Sequence, residues 1–163
     1  MLDRRTLLGA GMATAVTAII AGRAFSAPKE KQAFAFALSD AEWRQRLSPE
    51  AYATLRHEAT ERPFSSPLNK EHRSGTFLCA GCDQPLFASA AKYDSGTGWP
   101  SFRRPLPRAV GTSTDYAIGV ARTEVHCSRC GGHLGHVFDD GPPPGGKRYC
   151  MNGVALRFVP KSA

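Results

Sequence analysis

Apolar and polar positions divide the chain into three textures. Residues 7–22 form an apolar run diluted by Gly, Ala and Thr. Residues 39–58 space Trp43, Leu47, Tyr52 and Leu55 among charged positions. Ser39 with Glu42 three residues on is a capping-box start, so a short helix is predicted over 40–47. Ser48-Pro49 repeats the device, a capping serine and then proline at the first helical position, and predicts a second helix to about residue 58. "ERPFSSPLNKEHRSG" reads as loop, closing at Gly75. From Thr76 onward short apolar runs alternate with Gly and Pro clusters: "TFLCAGC", "QPLF", "YAIGVA", "TEVHC", "HLGHVF", "RYCMN" and "VALRFV". These are strand signals. A mainly β, mostly antiparallel domain is expected, fronted by two short helices and bent tightly at its Gly-rich corners.

The first texture belongs to a leader. Arg4-Arg5, the apolar run and the small residues Ala24, Ser26 and Ala27 are the three parts of an export signal, and the paired arginines resemble its twin-arginine variant. Residues 1–27 are read as an export signal that is cleaved, 28–37 as a linker and 38–160 as one folded domain. An uncleaved N-terminal anchor is the alternative and the only membrane association foreseen. The expected location is the periplasm.

Length and composition fit one ordinary globular domain: 163 residues, 42% hydrophobic and 21% charged. The formal charge of +7 includes three arginines inside the leader. The remaining basic residues are scattered, with no stripe interleaved with aromatics, which argues against nucleic acid as a partner.

Chemistry concentrates in the five cysteines. Cys79-x-x-Cys82 and Cys127-x-x-Cys130 can place four sulfurs around one tetrahedral zinc, and four cysteines close its coordination shell, making such an ion structural. Two disulfides or redox dithiols are the alternative in an oxidising compartment. Cys150 is left over. As a strand, "RYCMN" puts Arg148, Cys150 and Asn152 on one face. A guanidinium beside the sulfur favours the thiolate and lowers a free-thiol pKa of ~8.5. His133 and His136, in the glycine-rich "GGHLGHVF", are candidates for acid–base support.

"GTFLCAGCDQPLF", "SGTGWPSF", "VHCSRCGGHLGHVFDDGP" and "RYCMNGVALRF", in this order, resemble the B class of methionine sulfoxide reductases, enzymes specific for the R epimer. The resemblance covers about residues 38–160. It implies two antiparallel sheets with short N-terminal helices and a four-cysteine zinc site away from the active site. It implies that the Cys150 thiolate attacks the sulfoxide sulfur and is left as sulfenic acid. His133 and His136 match the family's active-site histidines, and Asp140 an acidic residue near them; one of these supplies the proton to the sulfoxide oxygen. Arg148 stabilises the thiolate and Asn152 orients groups around the substrate. Trp99 resembles the residue whose indole packs on the substrate methyl, with Phe102 of the same motif beside it. The substrates implied are oxidised proteins or peptides.

Many family members carry a resolving cysteine where this chain has Thr97. With four cysteines committed to metal, Cys150 is expected to be recycled by an external thiol, most simply on a thioredoxin-like protein. Two other classes stay open: a non-catalytic zinc-binding module, and a thiol–disulfide oxidoreductase working through one C-x-x-C pair.

Overall fold

The computed structural model describes residues 33–116 and 118–162; the expected leader and residues 28–32 of the expected linker lie outside the described residues. Helix α1 spans Asp40–Arg46 and α2 spans Pro49–His57. Both begin as their sequences dictate. The Ser39 N–H donates to Glu42 Oε2 at 2.8 Å while the Ser39 hydroxyl accepts the Glu42 N–H, and Ser48 accepts the Ala51 N–H at 3.2 Å. Trp43, Leu47, Tyr52 and Leu55 are all buried.

Residues 33–37, expected as linker, are instead docked. The Phe36 N–H donates to the Arg129 carbonyl at 2.9 Å, and the guanidinium groups of Arg46 and Arg129 lie 5.7 and 5.3 Å from its ring centre.

Among the described residues nine strands follow: β1 Gly75–Cys79, β2 Pro85–Ala88, β3 Lys92–Tyr93, β4 Ser101–Phe102, β5 Val110–Asp115, β6 Arg122–Cys127, β7 His133–Phe138, β8 Arg148–Met151 and β9 Leu156–Pro160. They form two antiparallel sheets, one of three strands in the order β2-β1-β9 and one of six in the order β3-β4-β8-β7-β6-β5. The core joins them through an aromatic cluster. Phe102 of the larger sheet stacks on Phe87 at 4.3 Å and meets Phe77 edge-on at 5.0 Å, both from the smaller sheet. Full burial of such a ring contributes about 1.5–3 kcal/mol. Leu86, Leu134, Met151 and Val125 complete this interior.

One apolar run is not a strand. Of "YAIGVA", Tyr116 and residues 118–120 fall at the tip of the β5–β6 hairpin, with Tyr116, Ile118 and Val120 exposed and Gly119 at φ +77°. The strand lies just before it, in the polar "VGTSTD" of β5. Its Thr and Ser side chains suit a pleated, half-buried edge.

Two local devices shape the site. The β6–β7 register shifts between Val125 and His126, so Leu134 is an extra residue in β7. On a regular strand residues three apart face opposite ways; the bulge returns His133 and His136 to neighbouring positions, ring centroids 5.3 Å apart. Gly135, at φ +153°, lies where a Cβ would sit 2.1 Å from the Cys150 carbonyl oxygen. Only glycine lets β7 approach β8 there.

Candidate active site

A single row of residues crosses the six-stranded sheet. Tyr93 pairs with Ser101, Ser101 with Cys150, Cys150 with His136, His136 with Glu124 and Glu124 with Ser113. Directly opposed residues in antiparallel strands share a face. Every strand of the sheet therefore contributes one polar or reactive side chain to one line, with Cys150 and His136 in the middle. Above them is a cleft of about 120 Å³ whose lining includes Trp99, Arg122, His136, Phe138, Cys150 and Asn152.

Cys150 is partly buried. Burial pushes its thiol up, and Thr97, Arg148 and Ser101 pull it down without cancelling that effect. The expectation that Arg148 depresses the thiol pKa is corrected in its net result: in the substrate-free cleft desolvation prevails. Thr97 Oγ1 lies 3.9 Å from Cys150 Sγ, so the side chain at the expected resolving position does adjoin the sulfur.

The histidines are held by carboxylates that sequence reasoning did not single out. His133 Nδ1 is 2.9 Å from Glu124 Oε1, and His136 Nε2 is 2.8 Å from Asp115 Oδ2. His126 and His133 hold the Glu124 carboxyl well below the usual carboxylate range. Burial pushes the His136 imidazole down, against the opposing pull of Asp115. His133 is 3% exposed, and its Nε2 has no hydrogen-bond partner among the described residues.

Asp140 is not the carboxylate on either ring. It grips Arg148, with Nε–Oδ1 and Nη2–Oδ2 both 2.8 Å, while the guanidinium lies 4.4 Å over the Phe138 ring. Asp140 thus orients the cation next to Cys150 and remains 62% exposed.

Trp99 and Asn152 line the cleft through one unforeseen residue, Glu61. The Glu61 carbonyl accepts the Trp99 indole N–H at 3.1 Å, and its own N–H donates to Asn152 Oδ1 at 3.0 Å. Its carboxylate accepts the N–H groups of Gly153 at 2.6 Å and Val154 at 3.0 Å. Asn152 Nδ2 in turn donates to the Leu134 carbonyl at 3.2 Å. Glu61 opens "ERPFSSPL", a loop that in sequence offered only turn signals. Phe102, expected at the substrate, is corrected: it is 0% exposed and belongs to the core. Strand parity explains this, since Ser101 faces Cys150 and its neighbour must face the other way.

Cys79, Cys82, Cys127 and Cys130 are all buried, with sulfurs within 4.8 Å of one another. Between knuckles, Cys79–Cys130 is 3.7 Å and Cys82–Cys127 is 3.5 Å. Four ligands at ~2.3 Å from a tetrahedral ion stand about 3.8 Å apart, whereas a disulfide needs ~2.05 Å. The donor set fits one metal ion. Arg46, Arg56 and Arg129 donate to the Gly81, Cys130 and Cys82 carbonyls, bringing positive charge close to the four sulfurs.

Fold and site define a mainly β domain with four cysteines placed to hold a metal ion and a separate cysteine in a histidine-lined cleft. The family model described as the SelR domain matches residues 47–160. A protein of Bradyrhizobium diazoefficiens named peptide methionine sulfoxide reductase MsrB is 55% identical over 76% of this chain and 89% of its own length. Proteins of the same name from Agrobacterium fabrum and Thiobacillus denitrificans are 53% and 55% identical, over 75% and 76% of this chain and 91% and 94% of their own lengths. The chain belongs to the SelR-domain family of B-class methionine sulfoxide reductases.

Proposed function

We propose that this protein reduces the R epimer of methionine sulfoxide in peptides and proteins. The observation that carries this reading is the pairing of Cys150 with His136 inside a cleft walled by Trp99, in a chain whose other four cysteines form the metal cluster.

The chemistry balances as an oxygen transfer. The Cys150 thiolate attacks the sulfoxide sulfur. The oxide takes up a proton as its bond to the methionine sulfur breaks, because an unprotonated oxide is a poor leaving group. Methionine departs, reduced by two electrons, and Cys150 becomes the sulfenic acid. Arg148, oriented by Asp140, stabilises the thiolate. His136, paired across the strands with Cys150, and His133 beside it are the candidates for supplying that proton. The Trp99 indole, anchored by Glu61, offers the flat apolar wall against which a methyl, and not the polar oxygen, is favoured; this supports selection of one epimer.

The four-cysteine cluster suits zinc, which would be structural, with no open position and no step in the reaction. Cys79 ends β1 and Cys127 ends β6, so the ion would fasten one sheet to the other. Recycling falls to an external thiol, on a thioredoxin-like partner. The Arg4-Arg5 leader supports export by the twin-arginine route, a path that carries folded proteins, with oxidised envelope proteins as substrates.

A single turnover without reductant tests the proposal. Reduced, metal-loaded protein is mixed with excess peptide bearing R-methionine sulfoxide. One methionine per chain, with a sulfenic-acid trap on Cys150 and metal retained, is expected. C150S should give none. A disulfide between Cys150 and a cluster cysteine, with metal released, would overturn the external-thiol assignment.

A further inference from the structure

Thr97 has no part in the chemistry above, yet its hydroxyl is within hydrogen-bonding reach of the Cys150 sulfur at 3.9 Å. It is also one end of a chain. Thr97 Oγ1 is 2.8 Å from Ser95 Oγ, Ser95 Oγ is 2.7 Å from Ser101 Oγ, and Ser101 Oγ donates to the Trp99 carbonyl at 3.1 Å. Hydroxyls alone thus connect the reactive sulfur to a backbone carbonyl. The Thr97 N–H also points at Ser95 Oγ, at 3.5 Å, and helps fix that serine.

Each hydroxyl has one hydrogen to give, and the carbonyl has none. With Cys150 protonated, one arrangement satisfies every group. The S–H donates to Thr97, Thr97 to Ser95, Ser95 to Ser101, and Ser101 to the carbonyl. When the thiol proton leaves to solvent, which reaches the partly exposed sulfur, the sulfur becomes an acceptor only. The arrangement then reverses. Ser101 donates to Ser95, Ser95 to Thr97, and Thr97 to the thiolate. Ser95 and Thr97 still give one bond and take one, and Ser101 turns its one hydrogen from the Trp99 carbonyl to Ser95. A carbonyl does not take up a proton at neutral pH, so the chain reorients and does not conduct.

We propose that Thr97 is a further catalytic residue, whose hydroxyl donates to the Cys150 thiolate at the end of a Ser101–Ser95–Thr97 chain that reverses as the thiol ionises. The proposal rests on Cys150 being the nucleophile. A hydrogen bond to an ionised acceptor is roughly twice as strong as one between neutral groups. Thr97 therefore favours the thiolate over the thiol even though it bonds to both. The hydroxyl stands where a resolving thiol would otherwise be, so this chain has a thiolate donor in place of an internal reductant.

The test is the pH dependence of Cys150 alkylation by iodoacetamide, read by mass spectrometry on metal-loaded protein. T97V keeps the shape of the side chain and removes the hydroxyl. The ionisable groups facing Cys150 are untouched: Arg148 on β8, His136 from β7, Arg122 from β6 and Tyr93 from β3. T97V should move the profile to higher pH by about one unit, which is about tenfold slower alkylation on its acid side. T97S should restore the wild-type profile. S95A breaks the chain behind Thr97 and should shift the profile the same way by less. A T97V profile lying on that of wild type, or a T97S shift as large as that of T97V, would sink the proposal; an unchanged S95A profile would refute the reversing chain. Alkylation needs no substrate. A shifted T97V profile in a protein that forms no methionine would therefore overturn the reductase mechanism and leave the Thr97 donor standing.

Discussion

His136 and Cys150 stand directly opposite each other on neighbouring antiparallel strands. The imidazole is delivered to the sulfur by backbone pairing and not by a mobile loop. H136Q keeps the polarity and removes the group that carries a proton. Single-turnover methionine formation should fall by about 10²-fold or more. Cys150 alkylation should change far less, because alkylation needs no proton donor. Quenched-flow measurement of both rates checks the split; equal losses would mean that His136 acts on the thiol and not on the oxide.

Burial pushes the Cys150 thiol above its ordinary value, so the substrate-free protein holds mostly thiol at neutral pH. Below that raised pKa the thiolate fraction, and the alkylation rate with it, should climb about tenfold per pH unit. D140N loosens Arg148, the cation pulling in the opposite direction. The pKa then rises further, the thiolate fraction at fixed neutral pH falls, and the alkylation profile moves to higher pH. A D140N profile shifted to lower pH would contradict this sign.

Glu61 joins three parts of the cleft through its carbonyl, its N–H and its carboxylate. E61Q leaves one of its two carboxylate acceptors replaced by a donor facing a backbone N–H. A buried donor left without an acceptor costs about 1–3 kcal/mol. Denaturant unfolding should show that loss. E61Q keeps the backbone carbonyl that accepts the Trp99 indole N–H, so KM for a peptide sulfoxide should rise only as far as the weakened Gly153 and Val154 contacts let that carbonyl shift, a change that a purely global destabilisation would not produce in the folded fraction.

Removal of the metal should unfasten the sheets. Cys79 and Cys127 end strands of different sheets, so chelation under reducing conditions should lower Tm by more than about 10 °C, since metal-binding energy is folding energy in such sites. Metal analysis should give one ion per chain, and C82S should mimic chelation while leaving Cys150 in place. Retained stability after complete metal loss would refute the fastening role.

Because Thr97 adjoins Cys150, T97C brings a second thiol into the cleft. After one turnover a disulfide between positions 97 and 150 should replace the trappable sulfenic acid, and mass spectrometry of the unreduced peptides would show it. Continued trapping at Cys150 would mean that the two side chains cannot close the bond.

What was legible in the sequence was local. Both helix starts follow from serines that cap the turn after them, and the knuckles follow from cysteines three apart. What was not legible depends on partners far along the chain. Glu124 and Asp115 reach the histidines only because β5, β6 and β7 pair in one register. Phe102 follows the sequence of a substrate motif, but the parity of β4 sends it to the core. The apolar "YAIGVA" outweighs "VGTSTD" as a strand signal, yet the hairpin places its turn at Gly119, and the Thr and Ser residues pair. Asp140 follows the histidine motif in sequence while its side chain turns to Arg148.

The order β3-β4-β8-β7-β6-β5 puts the last-made strand of the larger sheet at its centre. As the chain is synthesised, β4 and β7 are complete before either has β8 beside it. The reactive sulfur arrives last, on the strand that joins them. Until residues 148–151 emerge and slot in, there is no cleft and no thiol to be oxidised in it. A chain that ends before residue 150 therefore lacks the reactive sulfur while keeping its other four cysteines. Enzyme chemistry begins only at the moment the sheet closes, which ties readiness to react to the completion of the fold.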